Sequence, residues 1–129
     1  MERNMIRVVL LEPQKEARIA DIGSSLQSMQ SVVGGLIEAV YPFEEQVCIV
    51  CNEEGKLQGL PLNRALRDND GHIYDIIAGT AFICDCSGEN FGSLTKEQAT
   101  KFLELFKSPE AFVSINGCIV AIPMDGSDI

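Results

Sequence analysis

Apolar positions along the chain come in short blocks. Residues 6–11 form one such run, closed by Pro13, the mark of a short strand buried on both faces. Residues 18–22 alternate less cleanly, yet pair back on that run across the polar turn of residues 12–16, which predicts a first hairpin. Ser24 with Gln27 has capping-box spacing, and Leu26, Met29, Val32 and Val33 then recur at helical spacing until Gly34-Gly35 stops the pattern. Residues 37–41 and 47–51 are β-prone segments joined by Pro42-Phe43-Glu44-Glu45-Gln46, a length and chemistry suited to a second hairpin.

Over residues 57–67 the pattern degrades. Gly59 and Pro61 interrupt it, and Leu62, Ala65 and Leu66 predict one helical turn at most. Asp68-Asn69-Asp70-Gly71 is a turn, followed by strand material at 73–77 and 80–84, with Gly79 marking a bulge or a close backbone approach. Thr95 with Gln98 repeats the capping-box spacing ahead of Ala99, Phe102, Leu103 and Phe106, a helix expected to end near Pro109. Asn116-Gly117 between residues 112–115 and 118–122 is a strong hairpin signal, and residues 124–129 read as a frayed tail. The order ββ-α-ββ-(loop)-ββ-α-ββ lacks βαβ alternation and predicts an α+β fold, a small mostly antiparallel or mixed sheet with two main helices. A single domain is expected over residues 1–129, with its core at about 6–122.

Composition narrows the functional classes. A chain of 129 residues with 46% apolar and 22% charged content buries a core without metal or disulfide help. No apolar run reaches the roughly 18 residues of a membrane span, and Glu12-Pro13-Gln14-Lys15 stands where a leader would be cleaved, so a cytoplasmic location is expected. Ten basic against nineteen acidic residues give a formal charge of −9, which repels a phosphate backbone and disfavours direct nucleic-acid binding. The same sign suits an acidic decoy that imitates DNA. The acids, however, stand in scattered pairs such as Glu44-Glu45 and Glu53-Glu54, the pattern of a solvated surface.

Few constellations carry chemistry. Cys48-x-x-Cys51 and Cys84-x-Cys86 resemble two halves of a zinc site, but an offset of three along a strand sends Cys48 and Cys51 to opposite faces, which fits buried reduced thiols. With Cys118 the cysteines number five, so at least one has no disulfide partner. His72 is the only histidine and sits in a turn. Dinucleotide and phosphate loops and a nucleophile elbow are all missing, so the sequence assigns no catalytic residue, no metal ligand and no cofactor. A small enzyme using Asp75, Asp85 or His72 requires a pocket that brings these distant groups together. Phe82, Phe102 and Phe106 fall where core residues belong, not interleaved with cations as in a base-stacking platform.

Asn63-Arg64 stands out as an amide beside a guanidinium within an apolar stretch. The pair can present planar donors to a carboxylate, phosphate or base edge. Equally, Asn63 can cap a helical turn while Arg64 pairs with Asp68 or Asp75. The candidate ligand-binding set is Asn63, Arg64, Asp75 and Thr80.

Gly59-Leu60-Pro61-Leu62-Asn63-Arg64-Ala65-Leu66, Asp75-Ile76-Ile77-Ala78-Gly79-Thr80 and Phe91-Gly92-Ser93-Leu94-Thr95, with Cys51-Asn52-Glu53-Glu54-Gly55-Lys56-Leu57 before them, resemble an uncharacterised family of small bacterial and phage domains. The likeness runs from about residue 6 to 122. It implies cargo of conjugative transposons and phages of gut Firmicutes, often near antirestriction genes, and brings no catalytic residues with it. The expectation is a non-enzymatic binding or accessory protein of a mobile element, its partner an unknown protein or a small anionic ligand. The alternative is a host-defence antagonist that sequesters a nucleotide signal or acts as the acidic decoy. The oligomeric state is left open.

Overall fold

A computed structural model describes residues 4–124. In chain order its elements are β1 (Met5–Leu11), β2 (Arg18–Gly23), α1 (Leu26–Val33), β3 (Ile37–Val40), β4 (Val47–Asn52), β5 (Leu62–Arg67), β6 (Ile73–Ala78), β7 (Ala81–Asp85), α2 (Lys96–Leu105), β8 (Glu110–Ile115) and β9 (Cys118–Pro123). Five strands form one sheet in the order β2-β1-β7-β4-β3, and every pairing in it is antiparallel. Two further ribbons, β5–β6 and β8–β9, stand apart from that sheet. The fold is a sheet-rich α+β arrangement, as the element pattern implies.

The three central strands are buried on both sides, which explains the unbroken apolar stretches at residues 8–11, 47–51 and 81–84. Val9, Leu11, Val47, Ile49, Ala81 and Ile83 point to one face, where they meet Ala99 and Phe102 of α2 and Leu66 and Ile77 of the β5–β6 ribbon. Ile6, Val8, Leu10, Cys48, Val50, Phe82 and Cys84 point to the other, covered by Met29 and Val33 of α1. Cys48 and Cys51 therefore do lie on opposite faces of β4. Phe43 adds to the α2 side, its ring 4.6 Å from that of Phe102 and 6.0 Å from that of Phe106.

The caps depart slightly from expectation. Helix α1 is capped by Ser25 rather than Ser24: the Ser25 hydroxyl accepts from the Ser28 amide at 3.1 Å, and Gly34 closes the far end. Thr95 and Gln98 do form a reciprocal capping box, but α2 ends at Leu105, short of Pro109. The larger correction is β5. Residues 62–67 form a strand, not a helical turn, and the side chains from Asn63 to Leu66 are all buried. A register irregularity between Leu62 and Arg64 breaks the two-residue alternation, so the sequence shows no strand period there. Gly79 is a close-approach position: its φ is 81°, and a Cβ there would lie 2.7 Å from Leu60 Cδ1.

No helix among the described residues is long and apolar enough to cross a membrane. The tail proposed for residues 124–129 lies, beyond residue 124, outside the described residues.

Candidate functional site

Strand β5 carries the two polar residues singled out in the sequence, and both are enclosed. Asn63 is 0% and Arg64 1% exposed. The Asn63 amide donates to the carbonyls of Leu11 at 2.9 Å and Gly79 at 2.8 Å, tying the end of β1 to the corner before β7. Its Oδ1 accepts from Arg64 Nη1 at 2.9 Å. The rest of the guanidinium fork is spent on backbone oxygen: Nε donates to Phe106 at 3.0 Å, Nη2 to Lys15 at 2.8 Å, and Nη1 to Glu12 at 3.4 Å and Asn63 at 3.3 Å. Burial draws the Arg64 pKa down, and the charge of Glu110 opposes that shift. Arg64 makes no ion pair with Asp68 or Asp75. Asp75 pairs with Lys56, and Asp68 lies 3.8 Å from His72 Nδ1.

The predicted set is thus not a single site. Asn63 and Arg64 are structural clamps that bind their own chain, because each donor the sequence left open has an internal carbonyl. Thr80 lies near them in a shallow depression with Gly79, Leu60 and the β1–β2 turn. Asp75 faces a different hollow, beside Cys51, Lys56 and Ile77. His72 is in the β5–β6 turn and Asp85 at the end of β7, where its carboxylate accepts from Ser87. The three groups considered for catalysis share no cleft among the described pockets.

Asp68, Asp70 and His72 bring three ligand-type atoms within 4.8 Å of one another, all exposed. Asp68 Oδ1 already accepts from the amides of Asp70 and His72, both at 2.9 Å, which is ordinary turn chemistry. Of the cysteines, Cys48, Cys51 and Cys84 are buried, Cys86 is half-buried and Cys118 exposed. The buried-thiol reading therefore holds for three of the five. Cys48 and Cys84 are directly paired across β4 and β7, their sulfurs 3.8 Å apart.

A cavity with mostly apolar walls lies on the outer side of the Arg64 clamp. It is a cleft of about 420 Å³ between β5, the end of α2 and the root of the β8–β9 ribbon, within the usual range for small-molecule sites. Pro42, Phe43, Leu66, Leu105, Phe106 and Pro123 give it apolar walls. Arg67 and Glu110 supply the polar edge. Arg67 Nη2 donates to Glu110 Oε2 at 2.7 Å, while Glu110 Oε1 accepts from the Ala65 amide at 3.1 Å. The Glu110 side chain is only 8% exposed and that of Arg67 39%. One carboxylate therefore fixes the root of β8 to β5 and holds Arg67 at the cleft mouth. Arg67 Nε and Nη1 have no protein acceptor among the described residues. Sequence reading missed both residues, since they stand 43 positions apart and neither forms a motif.

A five-stranded antiparallel sheet covered by one helix on one face, and by a helix and a ribbon on the other, defines a small α+β domain with an apolar side cleft. The chain belongs to the family described as Domain of unknown function (DUF3846), whose profile matches residues 6–107. No curated protein and no solved structure matches it significantly. The match stops before β8, whereas the likeness read from the sequence extended to about residue 122.

Proposed function

We propose that this domain is a non-enzymatic binding protein whose ligand is a small hydrophobic monoanion, held in the cleft between β5, α2 and the root of β8. The carrying observation is the combination of apolar walls with Arg67, a partly exposed cation whose Nη2 is held by Glu110, while Arg64, the other cation lining the cleft, is spent on internal carbonyls. Apolar walls supply most of the affinity, and a guanidinium whose orientation is fixed by Glu110 supplies direction. Glu104 at the cleft and the overall charge of −9 favour one negative charge over a polyphosphate. An accessory role for a mobile genetic element is part of the same proposal and rests on the likeness in residues 51–95.

Thermal-shift measurements with phenylacetate, octanoate and a cyclic dinucleotide test the reading. A hydrophobic carboxylate raises the melting temperature at millimolar concentration, and Arg67→Met removes the shift relative to its own unliganded baseline. A flat response to both carboxylates rejects the proposal. A response to the dinucleotide alone favours sequestration of a nucleotide signal instead.

A further inference from the structure

Three of the five cysteines gather on the α1 face of the sheet. Cys48 of β4 and Cys84 of β7 stand directly opposite each other, both 0% exposed, with their sulfurs 3.8 Å apart. Cys86 lies two residues beyond Cys84, and its amide donates to the Gln46 carbonyl at 2.9 Å, which carries the β4–β7 pairing one residue past the end of β7. A two-residue offset returns its side chain to the face of Cys84 and makes it the diagonal neighbour of Cys48. It packs, half-buried, against the cluster that encloses both. Unlike them, Cys86 reaches solvent through the hollow it lines with Ile6, Met29 and Phe91. Cys51 is on the other face, its thiol on the Glu38 carbonyl at 3.6 Å, and Cys118 is in β9.

We infer that Cys48 and Cys84 are a redox pair that closes to a disulfide, and that Cys86 is the thiol through which a peroxide oxidises them. Opposed residues of an antiparallel ladder hold their Cα atoms about 4.5–5.5 Å apart, within the roughly 4.4–6.8 Å that a disulfide spans. Closing the sulfurs from 3.8 Å to a bond of about 2.05 Å therefore needs local adjustment and no rearrangement of the sheet. Neither sulfur is open to an oxidant from solvent, so the oxidising equivalents enter at Cys86. The Cys86 sulfur attacks hydrogen peroxide, the O–O bond breaks, and a sulfenic acid and one water result. The Cys48 sulfur then displaces that oxygen as a second water and forms a Cys48–Cys86 bond. Cys84 next displaces Cys86 from Cys48, its proton passing to the departing Cys86 sulfur. In sum, two thiols and one peroxide give one disulfide and two waters, and Cys86 is returned to the thiol. Burial pushes the Cys86 thiol up, which leaves little of it as the reactive thiolate at neutral pH and makes the entry step slow. The pair thus answers sustained oxidation. Because it lies on the α1 face, away from the cleft between β5 and α2, it stands independently of ligand binding there.

Disulfide mapping of the full chain tests the inference. The folded wild type is held in millimolar hydrogen peroxide, its remaining thiols are blocked with N-ethylmaleimide in urea, and the linked peptides are identified by fragmentation. Cys48–Cys84 is the bond expected to accumulate, and dithiothreitol reverses it. Cys86→Ala slows its appearance by about tenfold or more, because the buried pair has lost its contact with the oxidant. The same variant refolded from urea in an oxidising glutathione buffer still forms the bond, since the open chain exposes every thiol to exchange. Should Cys86→Ala misfold, Cys86→Ser replaces it in both measurements. Free Cys48 and Cys84 after peroxide and after oxidative refolding overturn the pair, as does a Cys48–Cys86 or Cys84–Cys86 bond as the end product. A folded Cys86 variant that forms the bond as fast as the wild type overturns the entry role of Cys86.

Discussion

Asn63 Oδ1 accepts a hydrogen bond from Nη1 of its sequence neighbour Arg64 at 2.9 Å, and both side chains are enclosed. Successive residues of a strand normally point to opposite faces. Here the irregularity beside Leu62 lets the two meet, and together they gather carbonyls of Leu11, Glu12, Lys15, Gly79 and Phe106. The guanidinium is thus satisfied by backbone oxygen, not by an external anion.

Removing the clamp costs more than an exposed arginine would. Arg64→Ala strands the Phe106 carbonyl and Asn63 Oδ1 in a buried site, and a loss of about 3–5 kcal/mol is expected. Arg64→Lys recovers part of this, because an ammonium reaches one cluster of acceptors but does not span three directions. Urea unfolding at constant m reports both values, and a loss below about 1 kcal/mol for Arg64→Ala would falsify the clamp.

The Arg67–Glu110 pair should behave as a coupled unit. Glu110→Gln keeps an acceptor for the Ala65 amide but turns its NH2 towards Arg67, losing the charge and that hydrogen bond at a cost of about 1 kcal/mol, whereas Arg67→Met leaves a buried carboxylate without its cation and costs about 2 kcal/mol. A double-mutant cycle then gives a coupling of about 1 kcal/mol. Strictly additive losses would show that the contact does not join β8 to β5.

Cys51 gives a pH dependence with a definite sign. Burial, with the charges of Glu38 and Asp75, pushes Cys51 up to about 11 from an ordinary value of 9.0. Between those values the unfolded chain has released this proton and the folded chain has kept it, so alkali favours unfolding. The Cys51 contribution to stability is constant below pH 9 and falls as pH rises through 9 towards 11. Denaturant midpoints across this range should decline more steeply for the wild type than for Cys51→Ala. Contact with Cys48 and burial raise Cys84 in the same direction. Alkylation in the folded state should accordingly reach Cys118 first and Cys86 next, sparing Cys48, Cys51 and Cys84 until the chain opens. Early labelling of Cys51 would contradict the burial described for it.

Much of the architecture was legible because local chemistry and global packing agree. Pro13, Asn116-Gly117 and the Thr95–Gln98 box sit where the structure uses them, and residues 8–11, 47–51 and 81–84 of β1, β4 and β7 are apolar because both faces are covered. Strand β5 was not legible. Leu62, Ala65 and Leu66 mimic helical spacing, and two polar residues in its middle are buried by acceptors that come from residues 11, 79 and 106. The cleft escaped for a related reason: Phe43, Leu66, Leu105 and Glu110 become neighbours only through the fold. Asn63 and Arg64 drew attention correctly as unusual residues, but the sequence does not tell a donor awaiting a ligand from one awaiting a distant carbonyl.

The Arg64 acceptors also bear on how the chain reaches its native state. Bonds to Glu12, Lys15 and Phe106 span 52, 49 and 42 residues, so the cation sheds its hydration only after the amino-terminal hairpin and α2 have docked. Non-local closure of this kind is expected to slow the search for the native state. Contacts completed after the rate-limiting step act mainly on the escape rate, so Arg64→Ala is expected to speed unfolding more than it slows folding, which the two arms of a chevron measure.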